Sequence, residues 1–318
     1  MTSPAESAAE GSAGSAAAES TGSADEEQRR GTAYGMAAYA IWGMFPLYFH
    51  ALAPSGAWEI LAHRIVWTLA FCLLALGTLR ELAWVGPFVR SPRLAGGVTI
   101  GALVLSANWV IYVYAVLTGR TYEAALGYFL NPLVTIALGV LVLRERLRPL
   151  QWLAVGIGAL AVVVMAVAGG GFPVIAFSLA LTFGLYGLIK KKIGASLPAL
   201  HSLSAETAVL APIAVGLLWW IGRSGQSTLG NHGVGHTALL VLAGVVTAIP
   251  LLLFAAAARR VPLTTIGLLQ FLTPVLQLIV GVVLLHEHVS PARWVGFGIV
   301  WVALMVLATH MLRNRSRS

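Results

Sequence analysis

The amino-acid sequence predicts an all-α integral membrane protein with ten transmembrane helices, built as two five-helix halves in inverted orientation. Three observations carry this expectation. Apolar runs of about 20 residues recur from Tyr34 to Leu312, each long enough to cross a hydrocarbon core of roughly 30 Å. The basic residues fall on alternate loops, and the second half repeats polar landmarks of the first.

Composition sets the solvent. Of 318 residues, 58% are hydrophobic and 10% charged, far from the balance of a water-soluble domain. A net charge of +8 could suggest nucleic acid as a partner, but the basic residues sit in short clusters between apolar runs, which is a topology signal and argues against that partner. The single cysteine, Cys72, lies inside an apolar run, so an intrachain disulfide is impossible and packing is its expected role. Residues 1–30 are rich in Ala, Ser, Gly and Glu and lack aromatic residues, and are expected to form a disordered tail.

Charge clusters and Gly/Pro punctuation place spans near 34–52, 57–78, 94–117, 121–143 and 149–168, then 172–189, 199–221, 237–258, 263–285 and 292–312. With the N-terminus inside, the cytoplasmic segments collect Arg29, Arg30, Arg80, Arg90, Arg93, Arg144, Arg146, Arg148, Lys190 to Lys192, Arg259, Arg260, Arg313, Arg315 and Arg317. Outer loops keep Arg120, Arg223 and Arg293, and Arg64 remains within a span. This one-sidedness predicts a multi-pass plasma-membrane protein with both termini cytoplasmic.

Sliding the chain by 142 residues aligns Pro132 with Pro274, Gly139 with Gly281, Glu145 with Glu287, Pro149 with Pro291, Trp152 with Trp294 and Gly156 with Gly298. An offset of five crossings turns the second copy upside down, a design that recurs in secondary transporters with substrate held near the midplane. The loop copies agree, since Arg144-Glu145-Arg146-Leu147-Arg148-Pro149 becomes His286-Glu287-His288-Val289-Ser290-Pro291 on the other side.

Several stretches also resemble a known family. They are IWGMFPLYF over 41–49, EILAHR over 59–64, GYFLNPL over 127–133, REL-like Arg144-Glu145-Arg146-Leu147, FGLYG over 183–187 and FAAAARR over 254–260. Together they are similar to the RarD group of EamA-type permeases, in the drug/metabolite transporter superfamily. The resemblance implies two EamA repeats, over 33–168 and 172–312, between a cytoplasmic tail at 1–32 and a short basic one at 313–318. It also implies a permease, in a group whose name is linked to chloramphenicol, without carrying over the substrate; the function expected is a secondary-active, proton-coupled exporter of a small metabolite or drug. A channel or a sensory scaffold is the alternative. The sequence has no G-x-S-x-G, H-E-x-x-H or P-loop pattern, so no enzyme, cofactor or self-contained ATP-driven pump is expected.

An ionisable residue inside the membrane is a functional candidate by default, and Arg64 lies about 10 Å into the second span. It reads either as an anion-binding or proton-coupled site, or as an arginine that snorkels or pairs with Glu59. His63 beside it suits proton coupling or packing. Glu206, the repeat-mate of Arg64, reads as a coupling carboxylate or as a partner for Lys190 to Lys192. Pro132 and Pro274 are expected to kink the fourth and ninth spans and free backbone groups, with Asn131, Tyr128, Gln270 and Gln277 lining a cavity nearby. Trp42, Tyr48, Asn108 and Trp109 would add an amide and aromatic walls. His232, His236, His286 and His288 match no strong zinc spacing, and no metal site is expected.

Overall fold

Every regular element in the computed structural model is helical, as a lipid-exposed chain that must satisfy its own backbone requires. The structure describes residues 4–144, 149–168, 171–193, 197–261, 265–266 and 269–315. The elements are α1 (Pro4–Ala51), α2 (Ala57–Leu79), α3 (Val85–Val89), α4 (Pro92–Leu117), α5 (Thr121–Leu143) and α6 (Pro149–Ala168). They continue with α7 (Val174–Ile193), α8 (Ala199–Arg223), α9 (Gly233–Ala258), α10 (Leu272–Ile279), a π-helical turn (Val280–Leu284) and α11 (Pro291–Arg315).

Among the described residues, five helices, α2, α4, α5, α8 and α9, are long and apolar enough to cross a membrane by length and composition. Shorter apolar stretches lie in α6, α7, α10 with its π turn, and α11. Large apolar side chains point away from the protein along these helices, among them Leu74, Leu141, Val167 and Trp219, a surface that only lipid covers without penalty. At the end of α8 the Arg223 guanidinium lies 4.9 Å from the Trp219 ring centroid, a basic and aromatic pair suited to the headgroup level.

The repeat is visible in the packing. Helices α2 and α8 begin 142 residues apart, at Ala57 and Ala199, and so do α6 and α11, at Pro149 and Pro291. Where α1 packs on α9 and α10, its counterpart α7 packs on α4 and α5; where α2 packs on α9, α8 packs on α4. The pairs α2 with α8, α5 with α10 and α6 with α11 join each helix to its own copy. Exchanging the halves therefore maps these main helix contacts onto one another, as a pseudo-two-fold axis demands.

Three features differ from the sequence expectation. Helix α1 starts at Pro4, within the segment predicted as a disordered tail; its alanines and glutamates are good helix formers, and Arg260 bonds Glu27 at 2.9 Å from the end of α9. The ninth span is not one kinked helix. The chain turns at Gln270 and Phe271, and α10 starts afresh at Leu272, so Pro274 sits in a first turn where no backbone donor is needed. Pro132, by contrast, lies inside a continuous α5. The third feature is the short α3, whose preceding Trp84 stacks on His201 at 5.2 Å while His201 meets Glu81 at 3.1 Å, tying this loop to the start of α8.

Two glycines set helix spacing around the centre. A Cβ on Gly244 would lie 2.2 Å from the Trp67 carbonyl carbon, so α9 and α2 touch backbone to backbone. A Cβ on Gly127 would lie 2.8 Å from the Ala176 carbonyl oxygen, which brings α5 equally close to α7. Gly244→Ala is expected to lower stability by about 1–3 kcal/mol through overpacking. Gly216→Ala, where nothing lies within 4 Å, should instead be neutral or stabilising. Thermal unfolding of the two variants in the same lipid nanodiscs checks the contrast.

Candidate functional site

The Gly244 contact explains the position of Arg64. Moving four residues along α2 from Arg64 reaches Thr68, and moving three residues back along α9 from Thr247 reaches Gly244. Thr68 Oγ1 faces the Gly244 carbonyl at 3.5 Å, and one turn away Arg64 Nε donates to Thr247 Oγ1 at 3.2 Å. A bulkier residue at 244 would push α9 off and break that bond.

Arg64 is only 3% exposed. Its guanidinium carbon lies 4.3 Å from the Trp109 ring centroid, 5.0 Å from Phe49 and 5.9 Å from Phe45. The cage continues through Tyr48 packed on Phe49 at 5.5 Å, Tyr112 on Phe49 at 5.8 Å and Tyr128 on Tyr112 at 5.7 Å. Among the described residues no carboxylate lies within ion-pair distance of Arg64. The walls come from α1, α2, α4 and α5 of the first half and from α9 of the second, so the chamber sits where the halves meet. A pocket of about 320 Å³ between α1 and α9, lined by Ala40, Ile41, Met44, Phe45, Tyr48 and Val246, borders the cage at Phe45 and Tyr48.

The expected pairing of Arg64 with Glu59 is not found. Glu59 is buried and turns to the loop before α9, accepting from Thr228 N at 2.8 Å, Thr228 Oγ1 at 3.0 Å and Ser227 Oγ at 3.2 Å. Its first-turn position on α2 points it at that loop, and backbone and hydroxyl donors satisfy it without a cation. Ser55 and His236 complete this network, with Ser55 Oγ 2.6 Å from Thr228 Oγ1 and His236 Nε2 3.0 Å from both hydroxyls.

His63 shares no chamber with Arg64, because neighbours on a helix point about 100° apart. Its Nδ1 accepts from Trp67 Nε1 at 3.3 Å, one turn along the same helix, and its buried Nε2 has no partner among the described residues. Tyr48, Trp109 and Tyr128 do gather around Arg64. Tyr48 is also tied to α9, donating to the Leu239 carbonyl at 2.6 Å.

Other predicted residues act between helices. Asn108 donates from α4 to the Leu179 carbonyl at 3.0 Å and Thr182 Oγ1 at 2.9 Å, both on α7. Gln277 Nε2 donates to the Trp42 carbonyl at 3.2 Å, and Thr273 to the Tyr39 carbonyl at 2.8 Å, fastening α10 to α1. The ring of Trp42 packs with Tyr39 and Phe254, apart from Arg64. Asn131 keeps an unpartnered buried Oδ1 on α5, while Gln270 is exposed at the break before α10.

Glu206 and Arg64 do not meet. Glu206 pairs with Lys190 across α7 and α8, and Tyr186 donates to its two oxygens at 3.2 and 3.3 Å. An aromatic file links the two charged sites, since Tyr128 meets Phe183 at 6.3 Å and Phe183 meets Tyr186 at 6.2 Å.

Sequence reasoning missed Phe45, Phe49, Tyr112 and Thr247. Phe45 and Phe49 stand one turn apart within the 41–49 stretch, and Tyr112 follows Asn108 by one turn, so helical spacing carries a weak signal for them. Thr247 carries almost none, being a lone hydroxyl in an apolar run.

Glu287 plays a separate part. Its carboxylate accepts from Thr121 N at 2.8 Å and Tyr122 N at 2.9 Å, filling the open donors at the start of α5 beside the Arg293 to Glu123 ion pair at 3.1 Å. The repeat-mate Glu145 lies outside the described residues. Glu287→Ala should cost about 1–3 kcal/mol by stranding those donors. Thermal unfolding should also show Glu287→Gln losing less.

Comparison with known proteins agrees with this architecture. The EamA-like transporter family model matches residues 29–167 and again 173–309. Protein RarD of Streptomyces exfoliatus is 52% identical, covering 93% of both chains, and the uncharacterized transporter YojE of Bacillus subtilis is 40% identical, covering 92% of this chain and 98% of its own. A crystal structure at 19% identity superposes with a TM-score of 0.57 over 91% of this chain and 99% of that one, a likeness of fold. Two matched repeats and near full-length relatives place this multi-pass membrane protein in the EamA-like transporter family, as a RarD-like permease.

Proposed function

We propose that the chain is a secondary-active carrier that exports a small metabolite or drug across the plasma membrane. Ten spans in two inverted halves, with both termini cytoplasmic, complete the proposal. One observation carries it: a buried cation, without a carboxylate partner among the described residues, stands among aromatic walls of the first half and is bonded by a hydroxyl of the second. A structural arginine in lipid would be matched by a fixed anion, because an unpaired charge there costs several kcal/mol. A carrier instead leaves its charge to be matched by cargo.

Alternating access fits the same geometry, because the chamber is closed by polar ties at separate ends. Glu59, Ser55, Thr228 and His236 tie the start of α2 to the loop before α9, and Lys190, Glu206 and Tyr186 tie α7 to α8. Rocking one half against the other would break the first set, which crosses between the halves, while the second lies within the second half and would hold. Proton coupling belongs to the proposal, with Glu206 and His63 as the titrating candidates and Lys190 as the partner released when Glu206 is neutralised.

The test is flux into vesicles containing the purified protein, with and without a pH gradient, over a metabolite panel that includes chloramphenicol. Saturable, gradient-sensitive flux is expected for at least one solute. Arg64→Ala should lower it by about tenfold or more, the loss of one charge-assisted interaction of about 1.5–3 kcal/mol. Equal flux from wild type and Arg64→Ala removes Arg64 from the mechanism, and unsaturable flux identifies a channel.

A further inference from the structure

The chemistry around Arg64 restricts the cargo. A guanidinium offers two faces and its in-plane edges. The Trp109 ring lies 4.3 Å from the guanidinium carbon and the Phe49 ring 5.0 Å from it, and Nε is bonded to Thr247 at 3.2 Å. Cation–π contacts contribute about 0.5–2 kcal/mol each, less than the several kcal/mol that removing the charge from water costs. An anion at the Nη edge closes the difference, and a carboxylate matches that fork with two parallel hydrogen bonds.

A second observation points to a polar ligand in the same place. The Tyr112 hydroxyl and Gln277 Oε1 are buried and lack hydrogen-bond partners among the described residues. Tyr112 packs on Phe49 of the cage, its hydroxyl lies beside the Gln277 side chain without a hydrogen bond of normal length, and Arg64 and Glu287 both act on it electrostatically. The hydroxyl offers a further donor to an anion. An unpaired buried hydroxyl or amide costs about 1–3 kcal/mol, so such groups mark where a partner belongs.

The charge of that partner follows by counting. Arg64 is the one cation among the described residues of the chamber, and Thr247, Tyr112, Tyr48 and Tyr128 contribute neutral groups. One positive charge neutralises a carboxylate; a phosphate dianion would leave a charge uncovered in lipid. The remaining wall residues, Phe45, Phe49 and Trp109, are aromatic, and beyond Phe45 and Tyr48 an open apolar groove runs between α1 and α9.

We propose that the chamber selects monoanionic organic acids with a flat apolar body, of which aromatic monocarboxylates are the type, seated on the Nη edge of Arg64 and the Tyr112 hydroxyl. This rests on the carrier reading of the chamber.

The experiment is equilibrium binding of radiolabelled benzoate and indole-3-acetate to the full chain in nanodiscs, with unlabelled competitors. Saturable binding is expected for at least one acid. Benzamide, which keeps the ring and loses the charge, and acetate, which keeps the charge and loses the ring, should each compete about tenfold or more weakly. Arg64→Gln and Tyr112→Phe should weaken binding, the arginine change more.

Several results overturn the inference: no saturable binding of either acid, competition by benzamide or benzylamine equal to that by benzoate, or tighter binding of phenyl phosphate. Because the competitor series uses the wild-type chain, it decides the matter even where Arg64→Gln does not fold. Binding of benzoate without any carried flux would sink the carrier reading and leave this site standing. Saturable flux of another solute without acid binding would do the reverse.

Discussion

A charged guanidinium held in the membrane interior without a fixed counter-ion is the constraint around which this molecule is arranged. Arg64 is tolerable there because α9 comes close enough to α2, at Gly244, for Thr247 to accept from Nε, and because three rings surround it. Each ring arrives on a particular helix: Phe45 and Phe49 on α1, Trp109 on α4. The positions of four helices are thereby coupled to one side chain. None of these contacts is strong by itself, and none neutralises the charge. The uncompensated charge makes the chamber receptive to an anion.

Two further buried carboxylates show how differently the fold treats negative charge. Glu287 is held by two backbone N–H groups at a helix start, and Glu59 by one backbone N–H and two hydroxyls of a loop. Neither requires a cation, so neither is drawn to Arg64. Glu206, paired with Lys190 and bonded by Tyr186, and Glu123, paired with Arg293, are instead held by cations. In each half, then, a carboxylate near a helix end closes the packing, while the centre holds positive charge and aromatic faces.

Much of the architecture could be read from sequence because membranes impose coarse rules. Span positions follow from length and punctuation, and the repeat follows from Pro, Glu, Trp and Gly recurring in order; α2 with α8 and α6 with α11 begin at the predicted separation. What escaped was set by contacts between distant residues. Arg64 and Thr247 stand 183 positions apart, and nothing local to either names the other. The expectation that Glu59 would seek Arg64 failed for a related reason, since only their nearness along α2, five residues, is local, whereas the loop at Ser227 and Thr228 is distant in sequence. The ninth span misled in another way. A proline mid-run signals either a kink or the first turn of a new helix, and only the turn at Gln270 and Phe271 decides for the second.

The break before α10 also separates two copies that the sequence makes equivalent. Helix α5 passes through Pro132 without interruption, whereas α10 is a short α segment that relaxes into a π turn at Val280–Leu284 before Glu287 folds back on Gly281. A π turn widens the helix and weakens its hydrogen-bond ladder, and such turns gather where helices do work. Here α10 is bonded to α1 through Thr273 and Gln277, on the helix that supplies Phe45, Phe49 and Tyr48 to the Arg64 cage. A movement of α10 against α5 would therefore be transmitted to α1 and open the aromatic wall, whereas α5, packed backbone to backbone on α7 at Gly127, has no such freedom. Two segments equivalent in sequence thus differ in build, an unbroken helix in the first repeat and a broken one with a π turn in the second.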